Sequence, residues 1–126
     1  MNPLFHTEFS ISDSLKNVRK SVLIYETIIL GDKSDAFRHG IWNAEMTILI
    51  GKEKAELFAT AHEDKDVTGT ESDGFPKTAH RDMDLHNNEI GRNLGEKNKE
   101  ASEDEMADII YQDLYSETTE FVWLHE

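Results

Sequence analysis

Residues 35–50 read DAFRHGIWNAEMTILI, and this stretch predicts a long helix that is buried nearly all round. At about 100° per residue, its apolar side chains fall on one helical face: Phe37, Ile41, Ala44 and Ile48. Asp35, His39 and Asn43 form a separate polar stripe with a spacing of four. Because a buried polar group without a partner costs about 1–3 kcal/mol, this stripe predicts partners from another helix or a bound ion. The alternative is that Asp35 serves the helix N-terminus and His39 is an ordinary core histidine.

Capping residues, glycines and apolar spacing predict further helices on both sides of this one. The predicted helices run from about Ser12 to Ile29, from a Ser34 cap to Ile50, from Lys52 to about Glu63, from about Arg81 to Asn98, and after a Ser102/Glu105 capping box. Residues 1–9 are predicted to form an arm, and residues 64–79 a long acidic loop of the kind that often binds a ligand. Residues 121–124 are apolar enough to dock as a short helix or a strand. The prediction is one all-α domain over residues 1–126, a compact bundle of about five helices.

The chain has 126 residues, no cysteine and a formal net charge of −13. Disulfides and thiolate metal sites are therefore excluded, and broad nucleic-acid binding is disfavoured by repulsion from phosphate. A local basic cluster keeps a nuclease open as a further alternative: Lys77, His80, Arg81 and Arg92. No apolar run is long enough to span a membrane, and no cleavable signal peptide is evident, so the domain is expected to be soluble.

The end of the third predicted helix carries two candidate site residues. His62 is in phase with Ala55 and Phe58, which predicts that its side chain points inward. Glu63 lies at the helix C-terminus, where its charge opposes the helix dipole, and a cation or a basic partner would explain its position. The alternative for Glu63 is an exposed side chain beside an ordinary loop.

The fourth predicted helix contains the stretch MDLHNNEIGR at residues 83–92. Asp84, Asn88, Gly91 and Gly95 share a face. Each glycine costs about 1 kcal/mol relative to alanine in a helix, so the pair predicts a close approach of another helix backbone. That contact would place Asp84 and Asn88 beside the polar stripe of residues 35–43. The alternative is a frayed helix that ends near Gly91.

Together these residues predict a hydrolytic site that activates a water molecule, with His39, His62 and Asp84 as catalytic groups and Asp35 orienting His39. The predicted substrate-binding residues are Arg38, Asn43, Asn87, Asn88 and Arg92. The candidate metal ligands are Asp35, His39, His62, Glu63, Asp84 and His86. Mixed imidazole and oxygen ligands suit zinc or manganese. No His-Glu-x-x-His signature is present, and a metal-free route with His39 or His62 as general base remains the alternative.

Three motifs in order, AFRHGIWNA at residues 36–44, AHE at 61–63 and MDLHNNEIGR at 83–92, resemble an uncharacterised bacterial helical domain. That domain is often found at the C-terminal ends of large secreted or polymorphic-toxin-like proteins, and it usually has alanine where this chain has Gly40. The resemblance covers roughly Asp35 to Gly95. It implies a secreted or delivered effector domain, with a cognate immunity protein as a partner. Small bacterial phospholipases of the A2 type are a looser analogy, in which Arg38-His39 and Asp84 would play the corresponding parts, although those enzymes use disulfides.

The expected function is therefore an antibacterial effector that hydrolyses a phosphoester or a lipid ester, with a small molecule or a lipid as substrate. A non-enzymatic helical interaction module with a structural polar network or ion site is the alternative, and a nuclease toxin is the further one.

Overall fold

The structure, a computed structural model, describes residues 29–126. Four helices form this part of the chain: α1 (Lys33–Ile50), α2 (Lys52–His62), α3 (Lys77–Lys97) and α4 (Glu103–Leu114). The all-α prediction is confirmed for the described residues, which contain four helices. The predicted arm at residues 1–9 and almost all of the helix predicted at residues 12–29 lie outside them.

The helix ends follow local chemistry that was only partly predicted. The N-cap of α1 is Asp32, whose side chain accepts hydrogen bonds from the backbone N–H groups of Ser34 and Asp35, so the predicted Ser34 cap was wrong by two residues. The Ser102/Glu105 capping box of α4 is confirmed. Helix α3 begins directly after Pro76, four residues earlier than predicted. Proline suits this position because its φ is preset and it has no N–H to satisfy.

Helix α1 is the centre of the packing, because it contacts α2, α3 and α4. The largest fully buried apolar side chains come from α1 and α4: Phe37, Ile41, Met106, Ile110 and Leu114. The core therefore lies on the face of α1 that was predicted to be apolar, and the polar stripe faces a different neighbour.

That neighbour is α3, which approaches α1 at two glycines. A Cβ atom added to Gly91 would lie 2.9 Å from the Cα of Gly40, and one added to Gly95 would lie 2.9 Å from the Cα of Ala44. The predicted close contact between the two helix backbones is thus confirmed. Since α3 continues through Gly91 to Lys97, the alternative of a helix ending near Gly91 was wrong.

The C-terminal tail, residues 115–126, returns across the bundle without forming a helix or a strand. Phe121 is buried, and a Cβ on Gly40 would lie 2.7 Å from its ring, so the glycine makes room for the docked ring. The predicted docking of the tail is confirmed, but the predicted short helix or strand is wrong. The tail backbone is held instead by hydrogen bonds to the Asn87 side chain and to the Gly31 carbonyl. Across the four helices described, none has both the length and the apolar character needed to cross a bilayer.

Candidate functional site

The polar stripe of α1 is buried as predicted. Asp35, His39 and Asn43 are exposed by 0%, 3% and 1%. The spacing of four places all three on the side of α1 that meets α3. Asp35 is held by its own helix end, because Oδ2 accepts the Gly31 N–H at 2.8 Å and Oδ1 accepts from Arg38 Nη2 at 3.2 Å.

Helix α3 adds Asp84 and Asn88 to this stripe because the glycines bring the two backbones together. His39 Nε2 lies 3.2 Å from Asp84 Oδ1 and 3.5 Å from Asp35 Oδ1. His39 Nδ1 lies 3.0 Å from Asn88 Oδ1. The histidine ring is therefore clamped between an amide on one side and two carboxylates on the other.

A chain of amide hydrogen bonds determines which nitrogen of His39 carries the proton. Arg92 donates to Asn43 Oδ1 at 3.1 Å, so Nδ2 of Asn43 must be its donor end. That Nδ2 donates to the His39 carbonyl at 3.0 Å and to Asn88 Oδ1 at 2.8 Å. Asn88 Oδ1 is consequently an acceptor, and His39 must donate to it from Nδ1. In the neutral ring, Nε2 then presents its lone pair to the two carboxylates.

Burial governs the charges of this cluster. Burial lowers the pKa of His39 to about 4, which keeps its ring neutral at pH 7. Burial, together with the carboxylates of Asp35 and Glu63, raises the pKa of Asp84 to about 8. In the free domain at neutral pH, Asp84 thus retains a proton that can lie between its oxygen and His39 Nε2. A divalent cation in the same place would satisfy all three groups without that proton.

The prediction that the His62 side chain points inward was wrong, and the neighbouring Glu63 is buried instead. His62 is exposed and its ring meets Trp42 edge-on at 5.6 Å, whereas Glu63 is 1% exposed. The buried line on α2 runs through Ala55, Ala59 and Glu63 at a spacing of four, so His62 lies one residue out of phase. The alternative of an exposed Glu63 was therefore wrong. Neither carboxylate oxygen of Glu63 has a hydrogen-bond partner, and burial raises its pKa.

A polar cavity of about 190 Å³ opens beside the cluster. Its wall includes four of the predicted catalytic or metal-binding residues: His39, His62, Glu63 and Asp84. Four of the ten lysines and arginines in the described part of the chain also line it: Arg38, Lys65, Lys77 and Arg81. Four acidic residues line it as well: Glu63, Asp66, Glu71 and Asp84. The cavity is therefore lined by charged side chains of both signs.

Comparison with protein families gives one result. Residues 7–118 match the model of a family described as a domain of unknown function, DUF6973. The chain belongs to the DUF6973 family. Searches of curated proteins and of solved structures find no match.

The DUF6973 domain has one group of side chains suited to a metal ion within residues 29–126. One ligand atom each from Asp35, His39 and Asp84 lies within 4.8 Å of the other two. The donor set is one imidazole nitrogen and two carboxylate oxygens, and the second ring nitrogen is fixed by an amide, as is usual for a metal-binding histidine. These residues fit a divalent cation.

Several predicted residues have other partners in this DUF6973 domain. His86, a predicted metal ligand, is exposed, and its Nε2 lies 2.7 Å from the Glu120 carbonyl. Asn87, a predicted substrate-binding residue, uses both ends of its amide on the backbone of Val122, at 2.8 and 2.9 Å. Both residues are tail anchors. The reason is that side chains two and three positions after Asp84 project from α3 at different angles, toward the tail.

The remaining predicted substrate-binding residues divide into two groups. Arg38 lines the cavity, as a substrate-binding residue should. The other three residues are buried, and their polar groups form the hydrogen-bond network that fixes the His39 ring: Asn43, Asn88 and Arg92. The structure therefore gives them a positioning role. Asn88, which was predicted to contact substrate, also replaces Asp35 as the group that orients His39.

The sequence did not predict the pairing of His80, a cavity residue, with Asp73. His80 appeared there only as part of a basic cluster, yet its Nε2 lies 2.8 Å from an oxygen of Asp73. A histidine at the start of a helix, seven residues after a loop aspartate, was the available signal. That spacing alone could not show that the loop folds back on the helix.

Proposed function

We propose that this domain hydrolyses phosphate esters with the help of a divalent cation, zinc or manganese, bound by Asp35, His39 and Asp84. The observation that carries the proposal is the lone pair of His39 Nε2, which faces two carboxylate oxygens at 3.2 and 3.5 Å. A neutral imidazole lone pair and carboxylate oxygens attract a cation and repel each other. The network of Asn43, Asn88 and Arg92 fixes this orientation, and in the free domain only the proton retained by Asp84 relieves the repulsion that a cation would remove.

Glu63, which lies at the C-terminal end of α2, supports the same assignment. Its two carboxylate oxygens are buried and unpartnered, and it lies close enough to Asp84 to raise the pKa of that residue. A buried carboxylate without donors is costly unless a proton or a cation compensates it. Glu63 is therefore available as a further ligand, or as an acceptor for water beside the ion.

A cation in this position supplies Lewis acidity and lowers the pKa of water toward neutrality. The protein's own part is to exclude bulk solvent, to hold the ligand oxygens and to receive the substrate. The cavity beside the cluster has a volume of about 190 Å³, which is less than the roughly 300 Å³ or more typical of pockets for drug-sized ligands. It therefore suits a small group such as phosphate. A long acyl chain does not suit so small and polar a space.

The four basic side chains of the cavity favour a phosphoester over a lipid ester, and a bound cation would offset the acidic side chains beside them. Arg38, Lys65, Lys77 and Arg81 are the groups that recognise phosphate oxygens, by charge and by donated hydrogen bonds. A carboxylic ester is uncharged and would gain little from them. An effector role in bacteria follows as part of this proposal from the likeness of the three motifs to toxin-like domains, and an immunity protein is then the expected partner.

The test begins with purified domain that has been stripped with chelator and reloaded with zinc, manganese or magnesium. Bound metal is measured by elemental analysis, and hydrolysis is measured with p-nitrophenyl phosphate, bis(p-nitrophenyl) phosphate and p-nitrophenyl butyrate. Asp84→Asn is the test variant, and Asp82→Asn, an exposed aspartate on the same helix, is its matched control. We expect one metal per chain and phosphoester hydrolysis in the wild type and in Asp82→Asn, with both lost in Asp84→Asn.

Other results would overturn the proposal in distinct ways. Metal binding with a raised melting temperature but no hydrolysis would leave a structural ion site in a non-enzymatic module. Cleavage of RNA or DNA without cleavage of the small esters would favour the nuclease. For the effector role, the wild type and His39→Ala are expressed in a bacterium in the cytoplasm and in the periplasm, and equal growth everywhere would contradict it.

A further inference from the structure

The cavity has a second histidine whose environment differs from that of His39. His80 lies in the first turn of α3, with its side chain 5% exposed. Its Nε2 lies 3.0 Å from Asp73 Oδ1 and 2.8 Å from Asp73 Oδ2. The carboxylate of Asp73 can only accept, so Nε2 carries the proton and donates it to Asp73.

This arrangement leaves the other ring nitrogen of His80 available. In the neutral ring, Nδ1 holds a lone pair, and it is buried without any hydrogen-bond partner. His80 is one of the residues that line the same cavity as Glu63 and Asp84. A buried, unpartnered basic nitrogen costs free energy in a structural histidine, and a substrate or a water molecule in the cavity would remove that cost.

Asp73 is held firmly in the orientation that His80 needs. His125 Nε2 lies 3.1 Å from Asp73 Oδ2 and 2.9 Å from the Leu30 carbonyl, and Phe75 stacks on the His125 ring at 5.7 Å. Desolvation of the Asp73 carboxylate is outweighed by hydrogen bonds from His80 and the Phe75 N–H, so the pKa of Asp73 lies below its ordinary value. Asp73 is thus ionised beside His80.

A glycine makes this cluster possible. Gly31 has a φ of +86°, and a Cβ there would lie 2.7 Å both from Asp73 Oδ2 and from His80 Cε1. The imidazole, the carboxylate and the His125 ring therefore pack directly against backbone, which leaves them little freedom to reorient. Such preorganisation is what a proton-transfer group requires.

We propose that His80 is the general base of the reaction and that Asp73 is its positioning residue. This inference rests on the proposed phosphoester hydrolysis. His80 Nδ1 takes a proton from water while the water oxygen forms its bond to phosphorus. The bond from phosphorus to the leaving oxygen breaks on the opposite side, that oxygen takes a proton from solvent, and the imidazolium then releases its own proton to solvent. Asp73 stabilises the imidazolium in between, so the charge developed on His80 is compensated throughout.

The experiment measures kcat and KM for bis(p-nitrophenyl) phosphate with saturating metal. The variants are His80→Ala, His80→Gln and Asp73→Asn, with His86→Gln as the matched control on the same helix. We expect kcat to fall about 10²–10⁴-fold in both His80 variants, because that is the usual contribution of a general base. Added imidazole should restore part of the rate in His80→Ala and none in His80→Gln. Asp73→Asn should lower kcat with little change in KM or in bound metal.

The outcomes separate this inference from the proposed function. A wild type that is active, with His80 variants whose kcat stays within twofold, would overturn the role of His80 and leave the metal-assisted hydrolysis standing. Loss of rate together with loss of bound metal and no rescue by imidazole would also overturn it, because His80 would then act through the fold. A wild type inactive toward every phosphoester would overturn the hydrolysis itself, and the role of His80 with it.

Discussion

His39 and His80 line one cavity, but their rings are held in opposite ways. His39 donates from Nδ1 to the neutral amide of Asn88 and turns Nε2 toward two carboxylates. His80 donates from Nε2 to the carboxylate of Asp73 and leaves Nδ1 without a partner. Burial lowers the pKa of His39 to about 4 and outweighs both the Asp35 carboxylate and the Asn88 hydrogen bond, so the ring stays neutral, whereas the ionised Asp73 accepts the proton of His80 Nε2 directly. The difference indicates that one histidine suits a cation and the other suits a proton.

The strongest way to break this comparison is to remove the amide that holds His39. Asn88→Ala leaves the Nδ1–H of His39 and Nδ2 of Asn43 short of an acceptor, so the ring can rotate or change tautomer. We expect the affinity for zinc or manganese to fall by about 10–100-fold, as is typical when the partner of a metal-binding histidine is lost. Titration calorimetry measures this, with Asn93→Ala on the same helix as control. Equal affinities in the two variants would contradict the role of Asn88.

Acidity sharpens the comparison further, because metal must displace the proton of Asp84. The pKa of Asp84 is about 8 in the folded domain and 3.8 in its ordinary state. Between pH 3.8 and pH 8, Asp84 therefore holds a proton in the folded domain that it has lost in the unfolded chain. The metal-free domain should therefore lose stability as pH rises through this window. Metal affinity should rise about tenfold per pH unit up to about pH 8. Calorimetry in buffers of different ionisation enthalpy should show about one proton released near pH 7, and no release would contradict this account.

Spacing between the helices can be changed without touching either histidine. Gly91→Ala places a methyl group against the Gly40 backbone, so α1 and α3 must separate. We expect a loss of about 1–3 kcal/mol in unfolding free energy, which lowers the melting temperature by several degrees. Metal affinity should fall as well, because His39 and Asp84 sit on the two separated helices. Thermal unfolding with and without metal checks both effects, and an unchanged melting temperature would show that the helices tolerate the methyl group.

The smallest effect is expected for His86, which is neither a proposed metal ligand nor the proposed general base. His86→Gln keeps a donor for the Glu120 carbonyl at the surface, so unfolding free energy should change by no more than about 0.5 kcal/mol. Bound metal should not change. A loss of metal in His86→Gln would restore this residue to the set of candidate ligands.

Spacing along single helices predicted much of the candidate metal site formed by Asp35, His39 and Asp84. The stripe of Asp35, His39 and Asn43 and the glycines of α3 were sufficient to predict that two polar faces meet at a close helix contact. The burial of Glu63 was not predicted. The sequence suggested that the inward face of this helix runs through Ala55, Phe58 and His62, but Phe58 is exposed and the buried face runs through Ala55, Ala59 and Glu63. Successive side chains on a helix project about 100° apart, so a phase error of one residue predicted a buried His62 where Glu63 is the buried residue.

The His80 cluster could not be predicted in the same way. Asp73 comes from the long loop and His125 from the tail, and their contact spans 52 residues. Hydrophobic periodicity reports which face of one helix is buried, but it contains no information about where a loop or a tail returns. The same limit applies to Asn87 and His86, whose partners lie 35 and 34 residues further along the chain.

The tail contacts also bear on how the site assembles. Leu124 donates its N–H to the Gly31 carbonyl at 2.7 Å, and His125 lies 2.9 Å from the Leu30 carbonyl. These contacts join segments more than ninety residues apart, so closing them carries the largest loop entropy in the described fold. Since contacts of high sequence separation form late, the wall around Asp73 and His80 should be completed only after α1 and α3 have packed.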